Sequence, residues 1–153
     1  MKLIIDTNVL ISSLLKDSTT RELLLNESFE FYLPEIVMSE VKKYLHYIIQ
    51  KSGKTEEEIK KLLNILLENL NLVPIKEYEK DMDEALKIMG KIDEKETEFI
   101  ALSLSITNDG IWSNDKHFNE QTKIIIYKTV DVINLLEKKS QSQDIEKKIN
   151  KKL

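Results

Sequence analysis

The sequence predicts an α/β fold: a largely parallel sheet of about five strands with helices covering both faces. Three observations carry this expectation. Short apolar runs without polar alternation, such as Leu3-Ile4-Ile5, read as strands buried on both sides. Stretches with helical apolar spacing separate those runs, the order that builds parallel sheets. Only three glycines and two prolines among 153 residues leave few places for long connections.

Taken in order, residues 2–5 form the first strand, and "VLISSLLK" continues as a short helix. In "STTRELLL", Ser18 and Thr19 are candidate N-caps, and Glu22 lies three residues after Thr19 as in a capping box. "FEFYL" at 29–33 is the second strand. Pro34 suits a helix's first turn, and helical spacing continues to about Gln50 before "KSGK" breaks it. "TEEEIKKLLNILLENL" is strongly amphipathic, with acids at the end that the helix dipole favours. "NLVPI" is a third strand, followed by a helix over 77–89 that ends near Gly90. A helix over 94–106, the strands "GIWS" and "KIIIY", and a last helix over 129–138 complete the chain.

One domain fits this length. No run of eighteen apolar residues is present to span a membrane, and no secretory leader pattern opens the chain. The absence of cysteine excludes disulfides and thiolate metal sites and suits a reducing cytoplasm. The net charge of −4 is uneven: from Glu137 onward six lysines face three acids, which leaves the first 136 residues at about −7. An acidic body lacks the basic footprint common in nucleic-acid binders. It does suit carboxylates gathered around a cation.

Ligands of open α/β sheets bind beyond the carboxyl ends of the strands. Asp6 directly follows the first strand there, although burying a lone carboxylate is costly. Asp115 lies two residues after "GIWS", at the same edge. Aspartates are also ordinary turn residues, so neither is decisive alone. Glu40 falls beside the apolar stripe Val37, Val41, Tyr44 and Ile48, and Glu96 shares a face with Phe99 and Ile100. A glutamate at a stripe's margin commonly just reaches water, and Asp93 with Glu96 could be a capping box. Glu98, on the face of Ala101 and Leu102, competes with Asp93 and Glu96 for the same place. If Asp6, Glu40, Glu96 and Asp115 converge, each pair about 4 Å apart repels by roughly 4 kcal/mol at an effective dielectric near 20. Such a cluster takes up protons or a hard cation such as Mg²⁺ or Mn²⁺.

"LIIDTNVLIS", "LPEIVMSEVKKY", "DEKETEFIALSLS" and "GIWSNDKHF" together resemble, in order and spacing, the motifs of PIN-domain proteins over about residues 2–137. The resemblance implies a PIN-like three-layer sandwich in residues 1–138, with 139–153 a lysine-rich tail that is a helical extension or mobile. It implies a divalent-metal-dependent ribonuclease of the VapC type, the toxin of a toxin–antitoxin pair. Its catalytic and metal-ligating residues would be Asp6, Glu40, Glu96 and Asp115, holding one or two Mg²⁺ or Mn²⁺ ions. Glu96 stands where the family usually has aspartate, so Asp93 or Glu98 could take part. Thr7, Asn8, Ser113 and Asn114 would orient carboxylates or water. An antitoxin protein, a homodimer and a cytoplasmic location are further implications.

Lys42, Lys43 and Lys116 are candidate contacts for an RNA backbone, although surface lysines are ordinarily just solvated. Trp112 and Phe118 read as core, and His46 and His117 as surface or hydrogen-bonded residues rather than ligands. Three other classes compete: a standalone RNA-processing nuclease, a catalytically silent binding module, and phosphoryl transfer through an aspartate. Asn8 argues against the last, because it removes the Asp-x-Asp pair of that phosphatase type.

Overall fold

Leu3, Ile4 and Ile5 are fully buried, as a strand at the centre of a sheet requires. The computed structural model describes residues 1–15 and 18–153. Its five-stranded sheet has the order β3-β2-β1-β4-β5, formed by β1 (Lys2–Ile5), β2 (Glu30–Pro34), β3 (Leu70–Val73), β4 (Gly110–Trp112) and β5 (Ile126–Tyr127). Every pairing is parallel, with Leu3 opposite Phe31 on one side and Gly110 on the other. The α/β expectation holds.

The chain adds strands outward from β1 to β3, then returns to place β4 on the other side of β1. Right-handed crossovers therefore put the helices of the two halves on opposite faces. The first group comprises α1 (Thr7–Leu14), α2 (Thr19–Leu24), α3 (Val37–Lys43), α4 (Leu45–Ser52) and α5 (Glu56–Leu67). The second comprises α6 (Met82–Met89) and α7 (Thr97–Ser105), with α7 lying against β1, β2 and β4. Finally α8 (Thr129–Lys152) runs past the edge strand and through the whole lysine-rich segment.

Several local expectations need correction. Ser18 alone caps α2, accepting from the Arg21 N–H, so the Thr19–Glu22 box does not form. Pro34 ends β2 instead of opening a helix, and the stretch to Gln50 is two helices broken at Tyr44. Tyr44 is consequently half exposed, while Val37, Val41 and Ile48 are buried. The helix expected over 77–89 begins only at Met82, after two 3₁₀ turns. Residues 94–96 form a 3₁₀ turn before α7, and "KIIIY" contributes only its last two residues to the sheet. The last residue of the helix expected in "VLISSLLK", Lys16, lies outside the described residues.

A capping box that sequence reading passed over, Thr55 with Glu58, starts α5. Trp112 and Phe118 are fully buried, as expected. Trp112 spends its indole N–H on the Thr129 hydroxyl, 3.1 Å away, which ties the start of α8 to β4.

Gly110 opens β4 with φ +143°, a conformation closed to most side chains. A methyl group there would lie 2.5 Å from the Ile125 carbonyl oxygen and 2.8 Å from a Tyr127 ring carbon. Gly110→Ala should therefore cost about 2–4 kcal/mol of stability, from backbone strain and overpacking together. Chemical denaturation would measure it. A loss below about 1 kcal/mol would mean that β5 moves aside freely.

Candidate metal centre

The reversal of strand order falls between β1 and β4, and in sheets of this kind ligands bind at that switch point. Asp6 leaves β1 there, its backbone N–H donating to the Trp112 carbonyl at 3.4 Å. The carboxylate is the N-cap of α1 and accepts from the Val9 N–H at 2.8 Å. Its other oxygen accepts from the Ser113 hydroxyl. Asp6 is only 2% exposed. A residue with β-strand geometry before it and an oxygen to offer the helix after it is what this junction needs.

Ser113 joins the two strands' acids. Its hydroxyl donates to Asp6 and accepts from the Asp115 N–H at 3.0 Å. Asp115 in turn caps the 3₁₀ turn Lys116–Glu120, accepting from the His117 N–H at 2.9 Å. Glu40 arrives from α3, held by the Thr7 hydroxyl at 2.9 Å. Asn114 turns the other way and brackets Thr129, accepting from its N–H and donating to its hydroxyl. Asn8 is exposed. Thr7 and Ser113 thus touch the acids, while Asn114 anchors α8.

Glu96 sits at the start of α7 as its N-cap residue, without a side-chain bond to that helix. Burial raises its pKa from the usual 4.5 to about 8, with the negative charges of Asp6, Asp93, Asp115 and Glu40 adding to the rise. Asp6 rises from 3.8 to about 6, also by burial first. Asp115 and Glu40 push in the same direction, against the hydrogen bonds from Ser113 and Val9. Asp6 and Glu96 therefore each feel the charges of Glu40 and Asp115, and Glu96 feels that of Asp6. Asp93 joins them, and it accepts from the Lys95 N–H rather than boxing with Glu96. Glu98 turns instead to the Tyr78 hydroxyl, which donates to it at 3.0 Å.

Five acids near one another demand compensation, and among the described residues none lies within 4.0 Å of a lysine or arginine nitrogen. The one ring nitrogen nearby belongs to His117. At the same helix start, the buried Thr97 hydroxyl has no hydrogen-bond partner among the described residues. A donor set of carboxylate oxygens fits a hard divalent cation, and these residues fit it in number and in charge. Without an ion, burial and the neighbouring charges favour the protonated form of Asp6 and, more strongly, of Glu96.

The sequence makes His117 a surface or hydrogen-bonded residue. Its Nδ1 lies 3.2 Å from Asp93 and 3.6 Å from Asp115. The signal available in the sequence was its place two residues after Asp115, on a turn too short to carry it away. Lys42, Lys43 and Lys116 are all exposed, as is His46.

Comparison with known proteins agrees with this architecture. A family model described as PIN domain matches residues 4–125. Among solved structures, the chain is similar to one in the crystal structure of VapBC2 from Rickettsia felis bound to a DNA fragment from their promoter. The TM-score is 0.60 at 14% identity, covering 84% of this chain and 98% of that one, a likeness of fold. No curated protein matches the chain.

Proposed function

The chain belongs to the PIN-domain family, and from that premise we propose that it is a divalent-metal-dependent ribonuclease hydrolysing RNA phosphodiester bonds. One observation carries the reading: Asp6, Glu40, Glu96 and Asp115 lie near one another at the switch-point edge, with no lysine or arginine nitrogen within 4.0 Å of them among the described residues. PIN domains are generally nucleases, and this edge is where such chemistry would be housed.

Asp6, Glu40, Glu96 and Asp115 would hold one or two ions. A bound Mg²⁺ or Mn²⁺ would supply polarisation of a phosphoryl oxygen and acidification of a water. The chain's own residues divide the remaining work. Val9 and Ser113 fix the Asp6 carboxylate, the His117 N–H fixes Asp115, and Thr7 fixes Glu40. Glu96 has no such bond among the described residues, and burial raises its pKa to about 8 in the metal-free chain. With its charge stabilised by a bound ion, it is the residue we assign to take the proton of the attacking water. Lys42, Lys43 and Lys116 would meet the RNA backbone as point charges.

The fold likeness to a VapBC2 chain supports reading the enzyme as a toxin held by a small antitoxin protein; a homodimer and a cytoplasmic location rest on the family resemblance alone. No helix among the described residues is long and apolar enough to cross a membrane.

The test is cleavage of a synthetic single-stranded RNA by the purified chain. Cleavage should appear with Mg²⁺ or Mn²⁺, fall at least a hundredfold in EDTA, and return when the ion is replaced. Cleavage indifferent to EDTA would refute the metal-dependent reading. A small protein that co-purifies and suppresses cleavage until removed would support the toxin assignment, and full activity without any such partner would favour a standalone enzyme.

A further inference from the structure

The four acids expected from the family motifs account for only part of the cluster. Asp93, Asp115 and His117 each offer a ligand atom, and these three atoms lie within 4.8 Å of one another. The His117 ring nitrogen Nδ1 is 3.2 Å from an Asp93 oxygen and 3.6 Å from an Asp115 oxygen. Ligand atoms about 2.1 Å from a six-coordinate ion sit about 3 Å apart, so these separations suit a shared ion with little movement. A single proton on Nδ1 can bond only one of the two carboxylates. An ion would satisfy both.

Resting on the ribonuclease reading above, we infer that Asp93 and His117 extend the metal centre with a mixed oxygen–nitrogen face beside Asp115, making this chain select Mn²⁺ over Mg²⁺. The chemistry follows from the donor type. Mg²⁺ keeps to oxygen and releases water reluctantly, whereas imidazole is a good ligand for first-row transition metals. The required tautomer carries its proton on Nε2 and turns the Nδ1 lone pair toward the carboxylates. His117 is 43% exposed at its side chain, so the ion has access and the ring can be replaced without opening the core.

The experiment uses Mn²⁺ alone on the full chain. Pulsed electron paramagnetic resonance of the bound ion should show nitrogen coupling from a directly coordinated imidazole. The coupling should vanish in His117→Ala and persist in His46→Ala, His46 being the other histidine of the chain. Titration should show Mn²⁺ affinity at least tenfold lower in His117→Ala and in Asp93→Asn, and Mg²⁺ should compete at least tenfold more effectively in both. If the wild-type complex lacks nitrogen coupling, or if both variants bind Mn²⁺ as wild type does while Asp6→Asn does not, the mixed face is overturned and the four-acid reading stands. If wild type binds no Mn²⁺ at all, both fall.

Discussion

Asp6→Asn should lower RNA cleavage by at least a thousandfold while leaving the fold intact, and Asp115→Asn should do the same. The amide keeps the size of the carboxylate, and its oxygen can still accept from the Val9 N–H, so the start of α1 remains capped. What disappears is the anionic ligand. The residue is 2% exposed and shares its hydroxyl partner, Ser113, with the backbone of Asp115. Ser113→Ala makes the informative contrast. It removes the link and spares both ligands, so it should cost about ten- to a hundredfold, the range for groups that orient metal ligands. Cleavage rates with Mn²⁺, alongside circular dichroism to show folding, would check all three. Undiminished cleavage by folded Asp6→Asn protein would rule out the assignment.

The metal-free protein should lose stability as pH rises from about 4 to about 8, the reverse of an ordinary acid-labile protein over that range. The folded chain holds its protons more tightly than the unfolded chain does at Asp6 and Glu96. Asp6's contribution is fully present below 3.8 and lost as pH rises through about 6. For Glu96 the corresponding limits are 4.5 and about 8. Between these limits the native state binds more protons, so the stability slope with pH is negative. Each tenfold change in proton affinity is worth about 1.4 kcal/mol, which gives on the order of 3 kcal/mol for Asp6. Glu96 adds a further amount that solvent screening reduces.

Urea denaturation of EDTA-treated protein at pH 5 and pH 8 would measure the trend. Saturating Mg²⁺ or Mn²⁺ at pH 8 should restore most of the loss, because an ion that binds only the folded chain stabilises it by mass action. Glu96→Gln should flatten the slope and stabilise the metal-free chain at pH 8, at the expense of cleavage. A stability profile that is flat, or that rises with pH and ignores divalent ions, would show that the acids are not crowded as described. The crowded acids of this edge lower the stability of the metal-free fold at neutral pH, a loss that a bound ion would offset.

The sequence alone determined the strand-and-helix alternation, and with it the parallel sheet, because buried apolar runs and helical periodicity are local patterns. Leu3-Ile4-Ile5 is too short an apolar run for a helix of its own and forms the buried central strand. It also marked Asp6 and Asp115 as residents of one sheet edge, since both follow strands that must point the same way. The motif resemblance placed the chain in its family before any coordinates. Helix ends were less legible: Pro34 and residues 77–81 have acceptable helical neighbours, and the register of β2 and the 3₁₀ turns override them.

Only the tertiary structure decided which acids share a space. Asp93, Glu96 and Glu98 lie within six residues, and spacing could not separate them. Packing did, by giving Glu98 the Tyr78 hydroxyl, half-burying Glu96 among four other charges, and bringing Asp93 to His117. The physical reason is one of range. Burial, capping and periodicity act between neighbours in the chain, but the repulsion that makes a carboxylate hold its proton acts through space, between residues as far apart in sequence as Asp6 and Asp115.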